Sequence, residues 1–588
     1  MSSYDILQNN FPSGEISPLW KGKSNSDFYR TGLDTCKNFM PMTPSGLRRR
    51  PGTQFLRQTY NNTDALIIPI SVGYGEDNSL VCEVTYGHAR VWYVGSPDTI
   101  KGEVSSSLLN FSDLSSVHYA VNKKAIWFVS LTMKPVRIDI SGSYSSGYTL
   151  TVSQPTFTGG MTFSSSGDYP NCIAFKGGRL LLGGTSNQPN AIFASRSPDY
   201  SSSTPDRYTD FTFGTESDYA LEVEDNELVQ PRWFLNSYRF LVGSERIIFS
   251  DDGAAITPSG FDISPTLREG SAWISAKGLK NYVVYVGTSG KTMGILIYDS
   301  DSAQYVSRPL TTNSSHLFAP GVNDFAITFM PDPVLWVLLN DNTILSCTVD
   351  LSSGSLLTGW ARHTVPGGRT ISRLISVTGT DGKDILYMVV KVNSSYHIET
   401  LTIDDIFSNT ESKIYLDMAI TRQVTTATNT FTYTSLMAGK TVSVIGDGAI
   451  LPDAVVANDG TITLDTKVKT CVIGLPYESL VGFLSQEQPT NGQSSFGNKR
   501  RLKKVTLRVY QSFGGYVGLD TDTDKMQELF STVYGSQLYG QVPELVDKDF
   551  VSDVQSTNIT SITLYVKTDF PTPLNILALK EKVELLET

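Results

Sequence analysis

The chain has 588 residues, enough for two to four domains at roughly 100–200 residues each. Its formal net charge of −11 speaks against general affinity for the DNA backbone, since an acidic surface repels a polyanion. Charged residues are only 18% against a typical ~25%, while β-branched and aromatic residues abound, the composition of a β-protein.

The first segment of interest is Gly46-Leu47-Arg48-Arg49-Arg50-Pro51-Gly52-Thr53. Three consecutive guanidiniums cannot pack on one another and call for separate acceptors. They are expected to contact acidic surfaces of neighbouring subunits; the plainer alternative is a solvated basic turn. Upstream lie Phe11-Pro12-Ser13-Gly14-Glu15-Ile16-Ser17-Pro18, Asp27-Phe28-Tyr29-Arg30 and Lys37-Asn38-Phe39. Met1 to Asp5 has neither the basic nor the apolar region of a signal peptide, and no apolar run approaches the ~20 residues of a membrane helix.

From Leu66 to about Leu401 short apolar runs alternate with Gly/Ser/Asp/Asn turns. The predicted strands include Leu66 to Ile70, Ala89 to Val94, Ala125 to Val129 and Arg179 to Gly184. Others are Arg239 to Gly243, Tyr282 to Gly287, Val334 to Leu339 and Ile385 to Val390. Hairpins are predicted from Trp336–Leu339 into Ile344–Val349 and from Tyr282–Val286 into Ile295–Tyr298. Their recurrence every ~40–50 residues is the spacing of propeller blades, although no repeated blade motif accompanies it.

Beyond Tyr415 a threonine-rich stretch leads into a compact β-unit, with hairpins expected at Gly446-Asp447-Gly448 and Asn458-Asp459-Gly460. The polar loop Gln488 to Ser495 follows, a candidate to face a channel or to be an ordinary linker. It ends in the basic run Lys499, Arg500, Arg501, Leu502, Lys503, Lys504, which is expected to meet neighbouring subunits as the arginine triplet does. The expected architecture is all-β: a β-propeller-like platform with an additional small β-barrel or sandwich and an extended N-terminal arm. The arm covers 1–65, the propeller-like domain 66–415, the barrel or sandwich 416–485 and a closing β-region 486–588.

Chemistry-bearing patterns are sparse. Gly290-Lys291-Thr292 lacks the earlier glycine of a phosphate loop, because Tyr285 stands there. His88, His118, His316, His363 and His397 are isolated, and no G-x-S-x-G motif occurs. The five scattered cysteines suggest small buried hydrophobes rather than a zinc site or disulfide framework. The seven tryptophans read as blade packing, with a sugar platform as the alternative. No enzymatic activity, cofactor or metal is expected.

Taken together, F-x-x-G-E-x-S-P, D-x-Y-R, C-K-N-F and G-L-R-R-R-P-G-T resemble the start of the tail tubular (nozzle) proteins of short-tailed bacteriophages, the tail tubular protein B-like family. Further landmarks are Thr209-Asp210-Phe211-Thr212, Leu241-Val242-Gly243-Ser244, Leu335-Trp336-Val337 and Gly359-Trp360-Ala361-Arg362-His363. Ile398-Glu399-Thr400-Leu401, Leu416-Asp417, Gly439-Lys440-Thr441-Val442-Ser443-Val444 and Gly474-Leu475-Pro476-Tyr477 are similar too. The resemblance implies a virion tail protein, made in the host cytoplasm and assembled as a six-fold ring beneath the adaptor (head-to-tail connector). Its implied partners are that ring, tail fibres or spikes, and genomic DNA passing without specific binding. A receptor-binding or glycan-degrading tail protein on a β-scaffold is the alternative.

Overall fold

In a computed structural model, the strands predicted from alternation form a series of small antiparallel sheets. The structure describes residues 3–43, 45–71, 79–143, 145–350, 357–404, 414–487, 497–530, 540–557 and 559–585. The fold is all-β, and its one α-helix among the described residues is the single turn Asp27–Arg30. Two compact units share the chain: residues 58–327 with 375–382, and residues 1–57 with 328–374 and 383–588.

The 58–327 unit is β-propeller-like. Among its described residues, five four-stranded antiparallel sheets follow one another along the chain, each a blade in sequence order. Blade 1 comprises Leu66–Ile70, Leu80–Thr85, His88–Tyr93 and Ser96–Ser105. The second strands of the later blades are Ala125–Ser130 in blade 2, Arg179–Gly183 in blade 3, Phe240–Gly243 in blade 4 and Tyr282–Val286 in blade 5. Each is almost wholly apolar because both faces are covered, the pattern of a strand buried on two sides.

The two-residue period of a strand then assigns each side chain to one neighbour. Ile126 and Phe128 pack with blade 1, whereas Trp127 and Val129 pack with Leu180 and Leu182 of blade 3. Leu181 turns the other way and joins Phe240 and Val242 of blade 4, whose Leu241 in turn meets Val283 and Tyr285 of blade 5. Burying large apolar side chains on both faces, at ~25 cal/mol per Å², holds successive sheets face to face. Gly290-Lys291-Thr292 is the turn of a hairpin in which Val286 pairs with Met293, as its sequence context requires.

The other unit includes the N-terminal residues. They supply strands to three sheets. Gly14–Glu15 and Gly32–Lys37 lie in one, between Leu357–His363 and Ser479–Phe483. Phe39–Pro41 and Leu47–Arg49 belong to a second, alongside Asn575–Leu585, Arg500–Ser512 and Val546–Ser552. Gln54–Gln58 enters a third, between Ser395–Thr402 and Asp417–Thr432.

The region expected to be a small barrel or sandwich is an open continuation of that third sheet, with no closed barrel among the described residues. Its order is Asp417–Thr432, Thr461–Leu475, Thr441–Gly446, Ala449–Val455. Asp447 and Gly448, at φ 48° and 83°, make the tight hairpin expected there. Asn458-Asp459-Gly460 is a turn but not the hairpin predicted. Thr441–Gly446 pairs on one side with Ala449–Val455 and on the other with Thr461–Leu475, separating the two strands that the turn joins. Local turn chemistry reverses the chain; it does not choose the partner.

Candidate functional site

The arginine triplet leaves the sheet as it passes from Leu47–Arg49 into Pro51 and Gly52. Arg50 N donates to the Asn38 carbonyl at 2.9 Å, and Gly52 N donates to the Ile414 carbonyl at 2.8 Å. Gly52 lies hard against Leu416: a Cβ there would stand 1.9 Å from the Leu416 carbonyl oxygen. Only glycine permits that approach, and it brings the Arg50 side chain and Thr53 onto Asp417.

A charge knot follows. Arg50 donates to both Asp417 carboxylate oxygens, at 2.9 and 3.0 Å. Arg369 donates to the same Asp417 at 2.9 Å and to Glu399 at 2.5 Å. His397 Nε2 lies 2.8 Å from the other Glu399 oxygen. Thr53 links the two carboxylates: its N donates to Asp417 at 3.2 Å and its Oγ1 to Glu399 at 2.5 Å. Its Oγ1 also accepts from Met418 N at 2.7 Å. Two guanidiniums and two carboxylates therefore balance, and all four residues are at most 3% exposed.

The titrations reflect that balance. Burial alone would raise the Glu399 carboxyl, but Arg369 and the hydrogen bonds from His397 and Arg369 outweigh it and hold Glu399 at about 2. Burial, then the charge of Arg50, holds His363 well below its ordinary value; its Nε2 lies 2.7 Å from Ser346 Oγ. A neutral imidazole beside Arg50 adds no further positive charge to the knot.

Arg49 is buried differently. Its Nε donates to Ser479 Oγ and its Nη2 to the Tyr477 carbonyl, both at 2.9 Å. Its Nη1 reaches the carbonyls of Thr572, at 2.9 Å, and of Phe570. The Tyr477 ring lies beneath both neighbours, 4.6 Å from the Arg49 guanidinium and 4.3 Å from that of Arg50. The expectation that Arg49 and Arg50 face neighbouring subunits is therefore corrected: both are saturated inside their own chain. Arg48 alone of the triplet is half-buried rather than buried, with Nη1 donating to the Asp404 carbonyl at 3.1 Å.

The second basic run, from Arg500 on, lies in the strand Arg500–Ser512. Alternation sends Arg500 and Leu502 inward. Arg500 is 2% exposed and donates to the Gln486 carbonyl at 2.7 Å, so it too is unavailable to a neighbour. Arg501 reaches Gln555 at 3.2 Å and Lys503 pairs with Glu584 at 2.7 Å. Lys499 and Lys504 remain exposed. The channel candidate Gln488 to Ser495 lies outside the described residues.

The leader and the later landmarks interlock as well. Gly14, at φ 58°, sits so close to the Trp360 backbone that a Cβ would stand 2.4 Å from its oxygen. The buried Glu15 accepts from Arg362 at 2.5 and 3.0 Å and from Cys36 N at 2.8 Å. Sequence reasoning did not single out Glu15, Arg362 or Arg369 as partners. The available signal was a charged residue within a strand-length run, such as Glu15 beside Ile16 and Glu399 beside Ile398.

All five cysteines are buried and unbridged. Among the described residues, no group of three or more His, Cys, Asp or Glu is arranged to hold a metal, and no helix is long and apolar enough to cross a membrane.

No family model and no curated protein matches the chain. Among solved structures, the crystal structure of the RRP9 WD40 repeats aligns with 61% of this chain and 100% of its own, at 10% identity and a TM-score of 0.37. So distant a likeness carries no argument here; the blade assignment rests on the strand pairings above.

Proposed function

We propose that this protein is a structural subunit of a short bacteriophage tail, one protomer of the six-fold nozzle ring through which DNA leaves the virion. One observation carries the reading. Several of the short segments that individually prove little, between Gly14 and Tyr477, touch one another. The G-L-R-R-R-P-G-T run meets Leu416-Asp417 through Arg50 and Gly52, and Ile398-Glu399 through Thr53. It meets Gly474-Leu475-Pro476-Tyr477 through Arg49, while Gly14 and Glu15 of the leader meet Trp360 and Arg362.

Residues that must match one another in space would be kept together in a family, which is the behaviour expected of true landmarks rather than chance strings. The low charged fraction suits large subunit contacts, whose centres are depleted of charge. The acidic balance suits a conduit that must not hold a passing polyanion. The proposal includes no catalytic step.

Negative-stain microscopy of the purified protein, alone and with tail extracts, tests it. Hollow rings or short tubes are the expected particles, and antibody against the chain should decorate the distal end of tails. Trimeric spikes, or turnover of bacterial polysaccharide abolished by one carboxylate substitution, would establish the alternative tail protein instead.

A further inference from the structure

Two lysines face each other across neighbouring strands with their charges unmatched. Lys504 of Arg500–Ser512 lies directly opposite Lys582 of Asn575–Leu585, and both are exposed. Side chains so placed stand about 5 Å apart at Cβ, where like charges repel. The register also sets Asp5 opposite Lys582, but the Asp5 carboxylate is bonded to Lys580 at 2.8 Å, and Glu584 is taken by Lys503 at 2.7 Å. Among the described residues neither Lys504 nor Lys582 has an ion-pair partner. The adjacent row of the same sheet face runs Leu7, Lys580, Thr506, Val551 across four strands. Its two ends are apolar and exposed, Leu7 at 61% and Val551 at 55%. Such a face suits a partner that brings carboxylates together with some apolar surface.

The chain itself carries that complement. From Asp210 to Glu227 it has seven acidic residues and no lysine or arginine. Arg196 and Arg207 pair with Asp218, Arg196 also with Asp210 at 3.6 Å, and Arg268 with Glu227 at 3.2 Å. Glu222 and Glu224 have no cationic partner among the described residues. Both are exposed on Leu221–Glu224, the outer strand of blade 3. Being two residues apart, they share one face of the strand at a spacing of roughly 6.6 Å. Glu222 accepts from Gln188 at 3.0 Å, and burial, then the charge of Glu224, pushes its carboxyl up, as expected of two carboxylates that repel. Phe213, 37% exposed, lies in the same stretch, and Val229, 50% exposed, follows it.

We infer that these two surfaces meet between copies of the chain: the Lys504 and Lys582 face of one protomer docks on the Glu222 and Glu224 strand of the next. Pairs spaced about 5 and roughly 6.6 Å apart are close enough for each long lysine side chain to reach one carboxylate. Two like-charge repulsions are exchanged for two ion pairs, while Leu7 and Val551 gain a covering surface. Because the two surfaces differ, the contact is head-to-tail, the kind that closes into rings. The inference extends the nozzle reading and rests on it for the expectation that copies associate.

Sedimentation velocity on the full chain, at low and high salt, tests the contact by charge exchange. The unmodified chain should self-associate, and less so as salt rises. Lys504→Glu with Lys582→Glu, or Glu222→Lys with Glu224→Lys, should each weaken self-association at least about tenfold. Neither pair should move the Tm, since all four side chains are exposed. Mixing the two double variants should restore association to near its original level, because every contact between alternating copies is then complementary again. If a reversed variant does not fold, the corresponding alanine pair takes its place and should weaken association to a smaller extent. A chain that stays monomeric at low salt, substitutions that leave association unchanged, or reversed variants that stay dissociated on mixing overturn the inference. Hollow rings that survive both reversals would overturn it and leave the nozzle reading standing. Restoration on mixing, in particles that are not rings, would uphold the contact and sink the nozzle reading.

Discussion

Arg50 and Asp417 are joined by two hydrogen bonds of 2.9 and 3.0 Å across 367 positions of sequence. Removing one partner of a buried pair leaves a charge that the interior cannot solvate, so Arg50→Ala should cost about 3–5 kcal/mol. Asp417→Ala should cost more, because it takes the carboxylate from Arg50 and one of two from Arg369, which keeps Glu399. Urea unfolding of both variants and of the double variant gives the coupling energy. A loss below about 1 kcal/mol for Asp417→Ala would show that the knot is not a stabilising centre.

Gly52 makes a sharper steric test. Alanine there must displace the Leu416 backbone, since its Cβ would meet the carbonyl oxygen at 1.9 Å. Gly52→Ala should lower stability by at least about 2–3 kcal/mol. Gly22 is the control, because a Cβ there meets nothing within 4 Å, and Gly22→Ala should stay within about 0.5 kcal/mol. Thermal melts of the two variants side by side decide it.

Two buried glutamates should tilt stability in opposite directions with pH. Glu399 is held at about 2 against an ordinary 4.5, so the unfolded chain binds its proton more readily. Its contribution is present above pH 4.5 and is lost as pH falls toward 2. Burial, only partly opposed by Arg500, raises Glu581 from 4.5 to about 7, so here the folded chain holds the proton. Its contribution is present below pH 4.5 and is lost as pH rises through 7. Glu399→Gln should flatten the acid limb of a stability–pH curve. Glu581→Gln should raise stability at pH 8 by on the order of 2–3 kcal/mol. An unchanged pH 8 stability in Glu581→Gln would count against the assignment.

Tryptophan positions divide by burial. Trp127, 1% exposed between blades 2 and 3, should cost about 3–5 kcal/mol as Trp127→Ala. Trp273 is 47% exposed, its ring 5.1 Å from the Arg232 guanidinium, and its alanine variant should cost under about 1 kcal/mol. Equal losses from the two would contradict the blade-packing account.

The sequence by itself determined the strands of the blades and several of their turns. Leu66–Ile70 and Val334–Leu339 match their predicted limits because a strand-length apolar run has one low-energy way to bury itself. The Asp447-Gly448 hairpin is equally local, set by two residues that tolerate positive φ. The tertiary structure alone decided where charge is buried. Nothing within the run Arg48 to Arg50 distinguishes the residue that receives Asp417, the one buried among neutral carbonyls and the one left half-buried. Their acceptors arrive from hundreds of residues away, with Phe570 and Thr572 separated from Arg49 by 521 and 523 positions. The same reason governs Asn458-Asp459-Gly460: a turn is a local event, whereas strand order is settled by which edge is free when the sheet closes up.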